Sequence, residues 1–256
     1  ADGAEKFYAS LTNEARYESA EEARHKDVRL REAYMGHKHW VLIDNSATDF
    51  MQKINRAKQQ VQNILGHNTG SSFYKKFLLR KANASPTQKT AVPIHLGRNQ
   101  HFEESEVEET FINYSTSEGR VVEASIEKKG NNNAYAYTLK VVLEKKGSHI
   151  TKKKSISASE YIEHKQSCKK DVPSLHSNRL CTIDRGLYMI IDYYPNVKNQ
   201  PMICIIQINE NVEDPKRIQV PEYLSIEQEI TDIEEFQPRA LAKTVTSLES
   251  AAPLTP

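Results

Sequence analysis

The residues in this chain best suited to chemistry are carboxylates and lysines that alternate along candidate strands. Residues 102–109 read FEESEVEE and carry Glu103, Glu104, Glu106, Glu108 and Glu109. Glu106 and Glu108 fall on one face of an extended strand. Paired carboxylates of this kind hold a divalent metal against a phosphate chain, or form a solvated acidic lead-in to a strand. A basic set follows: Lys128, Lys129, Lys140, Lys145, Lys146, Lys152, Lys153 and Lys154. If the sheet closes, some of these converge inside it. Exposed faces and edges are the simpler reading for 145–154. Lys129 and Lys140 are the interior candidates, because they continue the polar faces of a hairpin spanning 121–142. Its first strand sets Val122, Ala124 and Ile126 on one face and Glu123, Ser125, Glu127 and Lys129 on the other.

Other catalytic patterns are missing from the sequence. A nucleotide-phosphate loop needs spaced glycines followed by Lys-Ser or Lys-Thr at a helix start, so that backbone amides cradle the phosphates. None of the nine glycines here is followed by such a pair, and no GxGxxG occurs. The nine histidines are scattered, without HExxH, and no Gly-x-Ser-x-Gly is present. Cys168, Cys181 and Cys204 are odd in number and widely spaced, which fits neither a disulfide framework nor a CxxC zinc site and suits a reducing, intracellular setting. Asn83 and Asn113 begin sequons, which matter only in a secreted chain.

With 256 residues the chain holds one large domain or two small ones. Charged residues make up 27% and the net charge is only +1, so any phosphate site must be a local basic cluster. No stretch approaches a membrane span and no apolar signal segment opens the chain.

Periodicity gives the elements that must position these residues. A charged helix runs over 19–35 from a Ser19/Glu22 capping box. A short strand at 40–44 precedes a helix whose apolar face is Phe50, Ile54, Ala57, Val61 and Ile64, stopped at Gly66; Ser46 and Asp49 have capping-box spacing. Strand-loop-helix units of this kind build α/β sheets. Residues 67–100 are turn-rich and read as a linker around one short ordered segment, FYKKFLLRK. From 101 to 236 the pattern is mainly β, with strands at 107–114, 121–129, 134–144, 149–155, 179–184, 187–194 and 202–208, and turns at Gly130-Asn131 and Arg185-Gly186. One helix starts from a Ser157/Glu160 capping box, and 221–231 reads as a short helical turn. Residues 237–256 lack periodicity and read as a disordered tail.

Two regions together resemble the TRPL translocation defect protein family, in which a P-loop nucleotide-binding domain precedes a CYTH-like domain. The first is 1–56, with NEAR, the charged helix and VLIDN followed by DFMQK. The second combines VEETFI (107–112), IEKKGNNNAYAYT (126–138), NRLCTIDRGLYMIIDYY (178–194) and VPEYLSIEQEIT (220–231).

The resemblance implies an α+β chain. Residues 1–66 would be the C-terminal remnant of an α/β P-loop domain whose phosphate loop lies upstream of Ala1. A CYTH-like antiparallel barrel or tunnel would occupy 101–236. Arg16 and Arg24 fall where lids carry phosphate-binding arginines. Asp44, Asn45 and Ser46 fall at base contacts, or serve only as a helix N-cap. In the tunnel, Lys128, Lys129, Lys140, Arg179, Tyr188 and Asp192 would meet phosphates. The family's strand is Arg-rich where this chain has Ser125, Glu127 and Lys129, and Gln207 stands where a Glu is usual. The Glu-x-Glu-x-Lys pattern loses its Lys after Glu106 and Glu108. A phosphate chain of about four negative charges would meet Glu127, and each desolvated unpaired charge costs several kcal/mol. The implied function is therefore a regulator of membrane-channel trafficking, cytoplasmic and peripheral at endosomal or vesicle membranes. It would bind phosphoinositide or another phosphorylated small molecule without hydrolysing it. GTP or ATP with Mg2+ would be taken only by a full-length form, a channel would be the cargo, and no nucleic acid is implied. A metal-dependent triphosphate tunnel hydrolase, a kinase-like ATPase, and a scaffold with an empty tunnel are the alternatives.

Overall fold

In the computed structural model, residues 18–35, 37, 43, 50–64, 74–80, 101–145, 148–184, 187–207 and 220–246 are described. Two helices come first: α1, Ala20–Tyr34, and α2, Phe50–Ile64. Nine strands form one sheet: β1 Tyr74–Leu79, β2 Phe102–Phe111, β3 Arg120–Asn131, β4 Ala134–Lys145, β5 Ser148–Ile156, β6 Leu175–Asp184, β7 Leu187–Tyr193, β8 Met202–Gln207 and β9 Ile226–Glu229. Helix α3, Ala158–Lys165, lies between β5 and β6, and α4, Pro238–Ala242, closes the order. Every pairing is antiparallel, in the order β5-β4-β3-β2-β6-β7-β8-β1-β9.

The local chemistry explains several boundaries. Both complete capping boxes form: Ser19 with Glu22 and Ser157 with Glu160, each serine hydroxyl accepting from the glutamate amide while the carboxylate accepts from the serine amide. The β3–β4 hairpin turns at Asn132 and Asn133, both left-handed at φ 50° and 66°, rather than at Gly130-Asn131. Gly130 stays inside β3 at φ 150°, where an added Cβ would collide with the Ala134 carbonyl.

The sheet separates its faces sharply. One carries the main apolar packing: Leu180, Met189, Ile191, Cys204, Ile206 and Phe77 across β6, β7, β8 and β1, with Leu224 above them. On the same side of β3 and β4, Ala124, Ile126, Leu139, Val141 and Leu143 pack under Tyr161 of α3. The opposite face is polar at its centre and apolar at both ends. At one end Phe111, Leu175, Tyr194 and Ile203 meet Ile230, Leu241 and Ala242. At the other, Met35, just past α1, packs against Cys181 and Tyr188.

This polar face is rolled. β1 and β4 stand six strands apart in the ladder, about 29 Å if the sheet were flat at roughly 4.8 Å per strand. Yet Lys76 of β1 lies within electrostatic reach of Lys140 of β4 and Glu109 of β2, a reach of about 10 Å. Only strong curling of the sheet brings them together. The roll is not closed by pairing: among the described residues β5 and β9 remain the edges of the ladder.

Three expectations change. Tyr74–Leu79, read as an ordered piece of a linker, is an interior strand between β8 and β9. Residues 237–246, read as part of a disordered tail, contain α4, with Leu241 4% and Ala242 0% exposed. The helical turn expected at 221–231 is confined to Glu222–Leu224, and β9 follows. The strand expected at 40–44 lies, apart from Ile43, outside the described residues. Because Leu241 fills the apolar end of the roll, Leu241→Ala is expected to cost about 2–4 kcal/mol, read as a lower urea midpoint at unchanged slope; an unchanged midpoint would show that the segment does not belong to the fold.

Candidate functional site

Alternation along each strand decides which side chains enter the roll. β2 contributes Glu103, Ser105, Val107 and Glu109, and their register partners on β3 and β6 share that face. Glu109 stands opposite Glu127, Val107 opposite Lys129, and Ser105 opposite Arg179. Ser125 pairs with Lys140, which pairs with Lys153 on β5. Arg179 pairs with Asp192 on β7. Lys76 enters from β1, opposite Ile205 of β8.

The centre is an ion network. Arg179 donates to both oxygens of Asp192, Nε at 2.7 Å and Nη2 at 2.9 Å, and its Nη1 stands 3.7 Å from Glu127. Burial alone would lower the Arg179 pKa; Asp192 and Glu127 reverse that and hold it raised. Lys140 lies 3.4 Å from Glu109, which also accepts from the Ser125 hydroxyl at 2.6 Å. Burial pushes the Glu109 carboxyl up, but Lys140 and Ser125 hold it below its ordinary range. Glu109 in turn raises Lys140 against its own burial.

Two lysines lack this compensation. Lys76 is 9% exposed and donates only to the neutral Gln237 Oε1, at 2.8 Å. Burial and the nearby Lys140 push its pKa down. Lys153 is exposed and, among the described residues, has no partner within ion-pair or hydrogen-bond distance. The surrounding walls, together with Lys140 and Arg179, push it down as well. Ser105, 5% exposed and directly opposite Arg179, has a hydroxyl with no hydrogen-bond partner. The centre therefore sets Lys76, Lys140, Lys153 and Arg179 against Glu109, Glu127 and Asp192, with Glu123 acting on Lys140 and Asp232 on Lys76 as well.

The residues expected from the sequence divide by face. Lys129, Lys140, Arg179, Tyr188 and Asp192 enter the roll. Tyr188 sits at its end, buried beside Cys181 and Met35, which raises its phenol pKa. Lys128 does not enter: it lies on the outer face, its ammonium 4.1 Å from the Tyr135 ring centroid. Glu106 and Glu108 also face outward. Glu108 accepts from Lys165 at 2.8 Å and Tyr161 at 3.3 Å, which pins α3 to the sheet, and Glu106 is exposed. Arg24 is exposed on α1, and Arg16, Asp44, Asn45 and Ser46 lie outside the described residues. No group of three or more His, Cys, Asp or Glu able to hold a metal occurs among the described residues. Sequence reading missed Lys76, because its strand was taken as linker, and Ser105 and Glu109, because the Glu106/Glu108 alternation drew attention to the wrong parity. Lys153 was submerged in a run of three lysines.

Comparison with known proteins adds little. No family model matches the chain, and no curated protein matches it. Two solved structures are similar to it, both of NE1496: one described as a hypothetical protein, at 12% identity over 69% of this chain and 100% of that one, the other as an inorganic triphosphatase, at 10% identity over 70% and 98%, each with a TM-score of 0.43. Similarity of that size carries neither a ligand nor a reaction across. No helix among the described residues is long and apolar enough to cross a membrane.

Two measurements test the network. Asp192 is 2% exposed, so Arg179→Met strands a buried carboxylate and is expected to cost about 3–5 kcal/mol, with Arg179→Met/Asp192→Leu recovering much of the loss. Glu109 has a lowered folded pKa, so its stabilisation is present above its ordinary value of 4.5 and disappears as pH falls through the lowered one. Glu109→Gln should flatten that acid limb in urea melts; an identical limb in both proteins would remove Glu109 from the network.

Proposed function

We propose that the rolled sheet is a CYTH-like tunnel that binds a phosphorylated, multiply charged small molecule and does not hydrolyse it. The observation that carries this reading is the convergence of Lys76 and Lys153, from far-apart strands, on Lys140, with Arg179 also near Lys153. Cations crowded together with depressed affinity for their protons are relieved by an anion. The unpartnered Ser105 hydroxyl beside Arg179 offers a hydrogen bond to the same ligand.

The lack of hydrolysis rests on the carboxylates. Glu109 is engaged by Lys140 and Ser125, Asp192 by Arg179, and Glu127 faces Arg179. A metal would have to compete with those cations for these three carboxylates. Phosphoinositide headgroups are one ligand of this chemistry. The role in channel trafficking, the placement at endosomal or vesicle membranes and the nucleotide-binding half draw support only from the family resemblance.

Calorimetric titration with inositol 1,4,5-trisphosphate at low salt is expected to show binding that weakens as salt rises and falls about tenfold in Lys153→Gln. Tripolyphosphate with Mg2+ or Mn2+ should release no orthophosphate. Release of orthophosphate, lost in Arg179→Met, would establish the tunnel hydrolase instead, and silence in both assays would leave a scaffold.

A further inference from the structure

The three consecutive lysines of β5 differ in a way that composition conceals. Lys152 and Lys154 point to the outer side, where Lys152 pairs with Glu118 and Lys154 with Glu160 at 3.5 Å. Lys153 points into the roll, directly across from Lys140. Of the three, Lys153 alone has no ion pair among the described residues, and it is exposed to solvent.

We propose that Lys153 is a covalent modification site for acyl phosphates, acylated in preference to its two neighbours on the strand. The placement supplies both halves of the reaction. Lys140 and Arg179, facing Lys153 from β4 and β6, attract the phosphate of the reagent, and Glu127 of β3 and Glu109 of β2 only partly offset them. The surrounding walls first, and then the same two cations, favour the neutral amine of Lys153, and a neutral lysine amine is the nucleophile. Its lone pair attacks the acyl carbon. The C–N bond forms, the bond from that carbon to the phosphate oxygen breaks, and phosphate leaves with the electron pair while taking the proton shed by nitrogen. The product is an uncharged amide, which removes one cation from the centre of the roll. Acylation at this position would therefore act as an off-switch for anion binding.

The proposal rests on the position of Lys153 and holds whichever anion the roll takes. The test treats the full chain with acetyl phosphate and, separately, with uncharged N-acetoxysuccinimide, and reads acetylation of Lys152, Lys153 and Lys154 by peptide mass spectrometry over time. Acetyl phosphate is expected to modify Lys153 about tenfold faster than either neighbour, with a clearly smaller preference for the uncharged reagent. Equal rates at the three lysines would overturn the assignment. The same preference with both reagents would overturn the part played by Lys140 and Arg179. Loss of inositol trisphosphate binding tests the proposed function separately and leaves this ratio unaffected.

Discussion

The structure depends on a sheet whose two faces obey opposite rules. One face carries two apolar clusters, one over Leu143 and Val141 on β4 and one over Phe77 and Leu79 on β1, with the outward Glu106 and Glu108 of β2 between them. The other carries charge across the same strands. A flat sheet with that division would leave the charges in water and gain nothing from them. Curling forces side chains from β5, β4, β2, β6 and β1 toward one volume, so lysines far apart in the ladder become neighbours. Register shifts contribute, at Val121/Glu123 in β3 and opposite Leu78/Leu79 of β1, where β9 carries the extra residue Glu227, since an extra residue increases local twist and bend. The apolar ends, Ile203 with Leu241 on one side and Met35 with Tyr188 on the other, confine the charged part to the middle.

Confinement makes the ionic pattern consequential. A buried ion pair with good geometry roughly offsets its own desolvation, and an uncompensated charge does not. The Arg179–Asp192 fork and the Glu109–Ser125–Lys140 chain belong to the first kind. Lys76 and Lys153 belong to the second. Sites that store unfavourable electrostatics of this sort trade stability for function. The unpartnered Ser105 hydroxyl is a second cost borne in the same place.

How much of this was legible in the sequence follows from which signals are local. Capping boxes at Ser19 and Ser157 depend on residues three apart, and both form as read. The face assignment of the opening hairpin also came from alternation alone, and Ser125, Glu127 and Lys129 do share the polar face. What failed was information held by other strands. YKKFLL has no clear alternation because Phe77 and Leu79 pack outward while Leu78 also meets the apolar end of the roll, so the strand is recognisable only once β8 and β9 flank it. PRALA is too short for a helical period, and its burial depends on Ile203 and Phe111. Lys128 and Lys129 are adjacent in sequence and opposite in direction. Taking both as ligands ignored the parity that had been applied correctly to their neighbours.

The same parity bears on what the centre can hold. Near Lys76, Lys140, Lys153 and Arg179 stand Glu109, Glu123, Glu127, Asp192 and Asp232, and Lys129 shares the same face, so cations and carboxylates nearly balance. A phosphomonoester carries about −1.5 to −2 at neutral pH, which such a cluster can absorb. A long phosphate chain, like inositol trisphosphate, brings roughly twice that or more and has to draw cations away from Glu109, Glu127 and Asp192. Glu109, Glu127 and Asp192 already face Arg179 or Lys140, while Glu103, on the same inward face, keeps a buried oxygen without a hydrogen-bond partner. An anion entering the roll therefore competes with Glu109, Glu127 and Asp192 for the same cations. Glu127, directly across from Glu109 and near Arg179, adds to that competition.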